Sequence, residues 1–379
     1  MNNYITRTLS KQIESNLFKG RAIMLYGPRQ AGKTTLLKNL ISKYDKKTIW
    51  LNADNPDVRE ELTNVTLAKW RKIVGKKKIV VIDEAQRVNN IGLSLKIALD
   101  EIKDIQIIAT GSSSFELMSE ITEPLTGRKY EYKLLPFSFS ELVDNSDYIT
   151  EKQSIESRLL FGSYPSVITN PGEEQLILSE LTNSYLFKDI FAIDGIKKAS
   201  VFDKLVKALA LQIGSEVSYT ELASLVSIDR KTVEKYIDLL EKCFVVFSLP
   251  AFSGNMRNEI KKGRKIYFYD LGIRNAIIGN FLPLSARQDV GAMWENYLIS
   301  ERMKKNINNL FPPKSHFWRI IGNQNAEIDY IENSSSKLCA WEIKWNKASK
   351  AKIPLCFKNA YPDAETQILT PSNYDEFLL

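Results

Sequence analysis

The stretch GPRQAGKT at 27–34 decides how the chain begins to fold, because it fits G-x-x-x-x-G-K-[ST] without a mismatch. It follows an apolar run, RAIMLY at 21–26, that reads as a buried strand, and it opens KTTLLKNLISK at 33–43, which reads as an amphipathic helix. Strand, glycine-containing loop and helix N-terminus together make a cradle for phosphate. Gly27 and Gly32 let backbone N–H groups turn inward, and the helix start adds its own. Lys33 is expected to reach the β and γ phosphates, and the Thr34 hydroxyl to ligate Mg²⁺. Pro28, Arg29, Gln30, Ala31 and Thr35 complete the expected nucleotide-binding segment.

A second element agrees with the first. KKKIVVIDE at 76–84 is a basic lead-in, four β-type apolar residues and two acids. This is the Walker B form, with carboxylates at the C-terminal edge of a buried strand, where α/β sheets bind ligands. Asp83 would hold the Mg²⁺ shell, and Glu84 would orient or deprotonate the attacking water. A third strand, DIQIIAT at 104–110, runs into GSSS. A polar residue at its tip would sense the γ-phosphate, and spacing does not choose between Thr110 and Ser112. Another strand is expected at Tyr130–Leu134. Arg128, just before it, is a candidate charge-compensating arginine, acting in cis or in trans; the alternative is an ordinary turn residue.

The segments GPRQAGKTTLL, IVVIDEAQ, ATGSSSFEL and LTGRKYEYKLLPFSFSEL together resemble one prokaryotic ATPase family of the AAA+-like P-loop class. In that family the ATPase is followed by a C-terminal region of unassigned role. FGSYP at 161–165 and YLFKDI at 185–190 extend the resemblance along the chain, and Arg29 fits the same pattern. The resemblance, rather than any nucleobase-reading motif, implies ATP as the nucleotide.

Composition narrows the classes further. The chain has 379 residues, of which 44% are hydrophobic and 26% charged, so two or three ordinary globular domains are expected. Lys and Arg outnumber Asp and Glu by 52 to 45, a net charge of +7, which permits an anionic partner without demanding one. His316 is the one histidine, which excludes a multi-histidine metal site. Cys243, Cys339 and Cys356 form no C-x-x-C pair, so neither a zinc ribbon nor a disulfide framework is expected, and a reducing cytoplasm is the simplest home. The N-terminus lacks the apolar core of a signal peptide, and no apolar run reaches the ~18 residues that span a bilayer; no membrane partner is expected.

From 201 onward a helix, two further helices and a β-hairpin read as a winged helix, with Asp229 capping the third helix and Val233, Ile237 and Leu240 on its inner face. Arg230 and Lys231 would face outward beside the acids Glu234 and Asp238, a mixed face for a phosphate backbone. The following loop is more basic, with Arg257, Lys261, Lys262, Arg264 and Lys265 against Glu259 alone. These seven basic residues are the candidate DNA contacts; the competing reading is a module that docks protein.

A second chemical constellation lies near the end. MWENYLISERMK at 293–304 reads as a helix, and HFWRII, AEIDYI and LCAWEIKW as strands. Asp329 followed by Glu342-x-Lys344 fits the PD-(D/E)xK nuclease form. Strand alternation puts Glu342 and Lys344 on one face. If the strands pair as a hairpin, Asp329 approaches Glu342, the two carboxylates could hold Mg²⁺, and Glu295 on the helix would complete the cluster. Trp318, Trp341 and Trp345 read as packing rather than a base-stacking platform.

The expected fold class is α/β: an AAA+-like P-loop sheet domain (1–145), a helical connector (146–200), a winged-helix module (201–282) and a restriction-endonuclease-like α/β domain (283–379). The expected activity is ATP binding and hydrolysis, with nucleotide state regulating a DNA- or protein-binding C-terminal half. The alternative is an ATP-gated, metal-dependent DNA nuclease. A self-associating, motor-like ring, which depends on Arg128 acting across subunits, is the third reading.

Overall fold

Five parallel strands form the first sheet: β1 (Ala22–Tyr26), β2 (Thr48–Asn52), β3 (Ile79–Asp83), β4 (Gln106–Gly111) and β5 (Lys129–Lys133), in the order β2-β3-β4-β1-β5. The computed structural model describes residues 4–112, 124–186, 199–253, 263–320, 325–334, 337–346 and 351–379. Every residue of β1, β3 and β4 is buried, the pattern of a parallel sheet covered on both faces. Leu9 and Ile13 of the Leu9–Ser15 helix and Leu36, Leu37 and Leu40 of the Lys33–Ile41 helix pack on Ile23, Leu25 and Val81. The sheet order places β4 between β1 and β3, so β4 separates the phosphate loop from the acidic strand and can hold both. Strand β2 was not expected; it is a half-buried edge with no alternation to announce it.

The chain divides into two units, Met1–Phe137 with Lys242–Phe244, and Ser138–Glu241 with Val245–Leu379. The first unit therefore ends at Phe137, eight residues before the expected boundary. The reason is local. Ser138 and Glu141 form a capping box that starts the Phe139–Asn145 helix, the Phe139 N–H donates to Glu301 Oε2 at 2.6 Å, and the Phe139 ring packs edge-on against Tyr374. The 146–200 stretch is likewise no separate connector. Its Ile155–Phe161 helix packs on the Leu271–Ile278 helix, where Asn275 Nδ2 donates to the carbonyls of Leu159 (3.0 Å) and Leu160 (2.9 Å).

Within the second unit, helices Ala199–Leu211, Tyr219–Val226 and Arg230–Lys242 accompany a three-stranded antiparallel sheet of β6 (Glu216–Val217), β7 (Val246–Pro250) and β8 (Arg264–Phe268), in the order β6-β8-β7. Asp229 caps the third helix through Thr232, as its position implied. Val233, Tyr236, Ile237, Leu239 and Leu240 are buried, while Arg230, Lys231, Glu234 and Asp238 are exposed.

After the 17-residue helix Val290–Asn306 come β9 (Lys314–Ile320), β10 (Ala326–Ser334) and β11 (Lys337–Ile343), all antiparallel, then the Leu355–Ala360 helix and β12 (Glu365–Leu369), which runs parallel to β11. The Tyr330–Trp341 pairing in β10 and β11 carries the register toward Asp329 opposite Glu342. Trp318, Ile328, Ile331, Ala340 and Phe357 form the core beneath this sheet, and Trp345 packs edge-on against Trp294.

Candidate functional site

The phosphate loop leaves β1 at the C-terminal edge of the first sheet. Gly27 has φ 153°, and a Cβ there would lie 2.0 Å from the Leu134 carbonyl oxygen, so no side chain fits this passage. Gly32 takes the left-handed conformation (φ 92°) that starts the Lys33–Ile41 helix. Lys33 is buried, and its ammonium folds back onto the loop, donating to the Gly27 carbonyl at 2.8 Å and the Pro28 carbonyl at 3.0 Å. The Thr34 hydroxyl donates to Asp83 Oδ2 at 2.9 Å. Hydroxyl and carboxylate thus meet at a helix N-terminus beside a lysine, a donor set that fits Mg²⁺ carried in by a nucleotide. Pro28 and Ala31 are buried, whereas Gln30 and Thr35 are exposed.

The two polar residues that spacing could not rank have different jobs. Thr110 is fully buried in β4; its hydroxyl donates to Asp83 Oδ1 and accepts from the Glu84 N–H at 3.2 Å. It therefore sets both acids, from behind. Ser112 lies just past β4, where its oxygen accepts from Gln86 Nε2 at 2.9 Å. The same Gln86 amide donates to Glu84 Oε2 at 2.6 Å, linking the expected base to the strand tip. Glu84 has φ 54°, a left-handed conformation that costs a non-glycine residue roughly 1–2 kcal/mol and turns its carboxylate away from the strand line.

In the second unit, β8, the Val290–Asn306 helix, β10 and β11 bring charged groups together. Glu295, Asp329, Glu342 and Lys344 do converge: Lys344 Nζ lies 2.7 Å from Glu342 Oε1 and 3.7 Å from Asp329 Oδ2. A fifth and a sixth group, Lys265 and Glu327, enter that the sequence reading did not place here. Lys265 Nζ lies 3.1 Å from Glu295 Oε1, contacts Glu327 and stands 3.9 Å from Asp329 Oδ1, and its side chain is only 3% exposed. This corrects the expectation for Lys265: it cannot be a surface DNA contact, because β8 is the central strand of its sheet and turns this side chain inward. Burial alone would lower its pKa, but the carboxylates of Glu295, Asp329 and Glu327 outweigh that and hold it above the ordinary lysine value.

A divalent ion in this cluster would share it with that ammonium. Two unit charges 4 Å apart repel by about 4 kcal/mol at an effective dielectric near 20, so a divalent ion would meet about twice that. Among the described residues no group of three His, Cys, Asp or Glu side chains is placed to hold a metal ion. The residues present do not fit the Mg²⁺ that the nuclease reading requires.

Of the other candidate DNA contacts, Arg230 is exposed and paired with Glu234 at 3.1 Å on its own helix, and Arg264 lies over the Tyr219 ring at 5.3 Å. Lys231 is exposed. Arg257, Lys261 and Lys262 lie outside the described residues.

Comparison with known proteins divides along the same lines. Residues 19–143 match a family model described as an AAA domain. The N-terminal unit is AAA-like. Residues 152–283 and 290–376 match two domains of unknown function, DUF8612 and DUF4143. Uncharacterised proteins of Mycobacterium tuberculosis (25% identical, 95% of this chain and 78% of the relative) and Methanocaldococcus jannaschii (24% identical, 94% and 82%) align along nearly the whole length. Solved structures that the chain resembles weakly include NtrX of Brucella abortus in complex with ATP (16% identical, TM-score 0.31, 63% of this chain and 69% of that one) and Cdc6p of Pyrobaculum aerophilum (11% identical, TM-score 0.30, 74% and 97%). No helix among the described residues is long and apolar enough to cross a membrane.

The AAA-like unit also narrows the reading of Arg128 to its other two alternatives, action in trans or an ordinary turn residue. This residue immediately precedes β5, whose first residue pairs with Ala22 at the start of β1, and its guanidinium bonds Asp100 at 2.8 Å. The phosphate loop leaves the other end of β1, five residues away, or roughly 16 Å at the rise of a strand. Arg128 cannot reach the nucleotide of its own chain. A different arginine supports the loop: Arg7, buried, donates to the Ala31 carbonyl at 3.3 Å and the Leu135 carbonyl at 2.5 Å, and lies over the Phe137 ring. Nothing in the sequence marks Arg7, because its partners are backbone carbonyls 24 and 128 positions away.

The carboxyl cluster gives a pH dependence with a definite sign. Burial and the neighbouring Asp329 push both Glu295 and Glu342 up to about 7, against an ordinary 4.5. A carboxyl whose folded pKa is raised contributes stability that is present below its unfolded pKa and lost as pH rises through the folded value. The thermal midpoint of the full chain should therefore fall as pH rises from about 4.5 to about 7, and Glu342→Gln should flatten that slope, as read by thermal unfolding across the pH series. An unchanged slope in the variant would remove Glu342 as a cause.

Proposed function

We propose that the chain is an ATP-binding and ATP-hydrolysing AAA+-like protein whose nucleotide state regulates a DNA- or protein-binding C-terminal half. The observation that carries this reading is the convergence of Lys33, Thr34, Asp83, Thr110 and Glu84 at one sheet edge, with the Thr34–Asp83 contact already formed. Lys33 exchanges its two carbonyl partners for phosphate oxygens. Thr34 and Asp83 are the residues that would hold Mg²⁺, which when bound supplies positive charge to the β and γ phosphates. Glu84 accepts the proton of the attacking water, and Thr110 keeps Glu84 and Asp83 in place. The Gln86 amide donates to both Glu84 and Ser112, so the base and the tip of β4 are coupled through one side chain.

For the partner, the exposed Arg230–Lys231 end of the third helix and the basic 255–264 sequence favour DNA on charge, and the resemblance of residues 199–268 to a winged-helix order favours the same partner. The metal-dependent nuclease alternative finds Glu295, Asp329, Glu342 and Lys344 together, but its metal would meet the charge of the Lys265 ammonium among them.

Fluorescent-nucleotide titration of the full chain tests the first part: binding in Mg²⁺ is expected for the wild type and a loss of at least about a hundredfold for Lys33→Ala. Tight binding by that variant would sink the assignment. Titration with labelled duplex DNA, with and without ATP, tests the second. Affinity that falls steeply between about 50 and 200 mM salt is the expected signature of phosphate contacts; no binding in any nucleotide state would leave a protein as the partner.

A further inference from the structure

We infer that Lys265 is the resident cation of the C-terminal carboxylate cluster, taking the place of a divalent ion, so that this unit works without a metal at that site. The inference does not depend on the nucleotide reading; every group in it lies in the second unit.

The ammonium is built in rather than swung in from the surface. Lys265 sits in β8, paired on one side with Glu216 of β6 and on the other with Leu249 of β7, so the backbone cannot shift without breaking both ladders. Two positions further along the same face, the Tyr267 hydroxyl donates to Glu295 Oε1 at 2.6 Å, and that oxygen also accepts from Lys265 at 3.1 Å. Glu327 and Asp329, two apart in β10, come from the four-stranded sheet. The Phe317 ring, 5.6 Å from the nitrogen, closes another side with its π face.

The carboxylates are correspondingly committed. Asp329 Oδ1 faces Lys265, while Oδ2 accepts the Ile343 N–H at 2.7 Å and faces Lys344. Glu342 Oε1 is held by Lys344, and its Oε2 is buried without a partner. Each of the four carboxylates faces an ammonium with at least one oxygen, so a divalent ion would have to displace those pairings to gain its ligands. The three strands and the helix keep the outline of a metal site, and a covalently attached amine fills it.

The probe is Mn²⁺, followed through the loss of the free-ion electron paramagnetic resonance signal, on the full chain carrying Asp83→Asn to remove the β3 carboxylate that bonds Thr34. This chain is expected to bind no Mn²⁺ that depends on Asp329 up to about millimolar concentration. Lys265→Met in the same background is expected to gain one site, at least about tenfold tighter, that a further Asp329→Asn abolishes. An Asp329-dependent Mn²⁺ site with Lys265 intact would overturn the inference. So would a folded Lys265→Met chain, checked by circular dichroism, that gains no site. If Lys265→Met fails to fold, Lys265→Gln, which keeps a polar group without the charge, replaces it, and the Lys265-intact measurement still decides.

Discussion

Glu84→Gln is expected to bind ATP about as well as the wild-type chain and to lose on the order of 10²–10⁴-fold in turnover, the usual contribution of a positioned general base. The substitution keeps the size and one oxygen of the side chain, so the 2.6 Å bond from Gln86 survives. It removes only the capacity to take a proton. Phosphate release and nucleotide affinity, measured side by side, separate the outcomes. Turnover within threefold of the wild type would take Glu84 out of the chemistry, whereas parallel losses in binding and turnover would make it a structural residue of the loop.

The largest expected effect on stability lies away from either cluster. Asp289 is shared by two arginines: Arg274 Nη1 at 2.6 Å, and Arg287 Nε and Nη2 both at 2.8 Å. Those guanidiniums are nearly inaccessible, at 2% and 0% side-chain exposure, and Arg274 also donates to the Ala210 carbonyl at 2.7 Å. Asp289→Ala would leave both buried cations without their carboxylate, which should cost about 3–5 kcal/mol in a denaturant titration. A cost below about 1 kcal/mol would show that the network contributes no more than a surface pair. Burial by itself would raise the pKa of Asp289, but the bonds from Arg287 and Arg274 hold it down at about 2, against an ordinary 3.8. A depressed carboxyl gives stability that is present above its unfolded pKa and lost as pH falls through the folded one. The wild-type chain should therefore lose this contribution between pH 4 and pH 2, and the variant should lack that part of the acid limb.

The phosphate loop and the Asp83–Glu84 strand were legible because their chemistry fixes residue type at fixed spacing, and because β1 and β3 are unbroken apolar runs bounded by glycine, proline and acids. The Tyr219–Val226 helix is one of the three expected from 201 onward, and Ser218 caps its start. Strands β2, β6 and β12 were not read; they are short or half-buried, and alternation has little to show in five residues or two. Lys265 was misread for a physical reason. In sequence it ends a basic run and looks solvated, and only the position of β8 at the centre of its sheet turns it inward. Alternation could have helped: Lys265 with Tyr267, and Glu327 with Asp329, are each two apart and so share a face. The role of Gln86 depended on the turn after β3, where the left-handed Glu84 folds the side chains back on one another.

The bond network around Asn275 bears on how such chains diverge. Its amide holds the carbonyls of Leu159 and Leu160, more than a hundred positions upstream, while Arg274 and Arg287 donate to its oxygen. A recombination crossover anywhere between those partners would join a donor from one lineage to acceptors from another. Residues 152–283, the span that matches a single domain of unknown function, thus share one fate under exchange, although a helical half and a sheet-bearing half could have looked like separable cassettes.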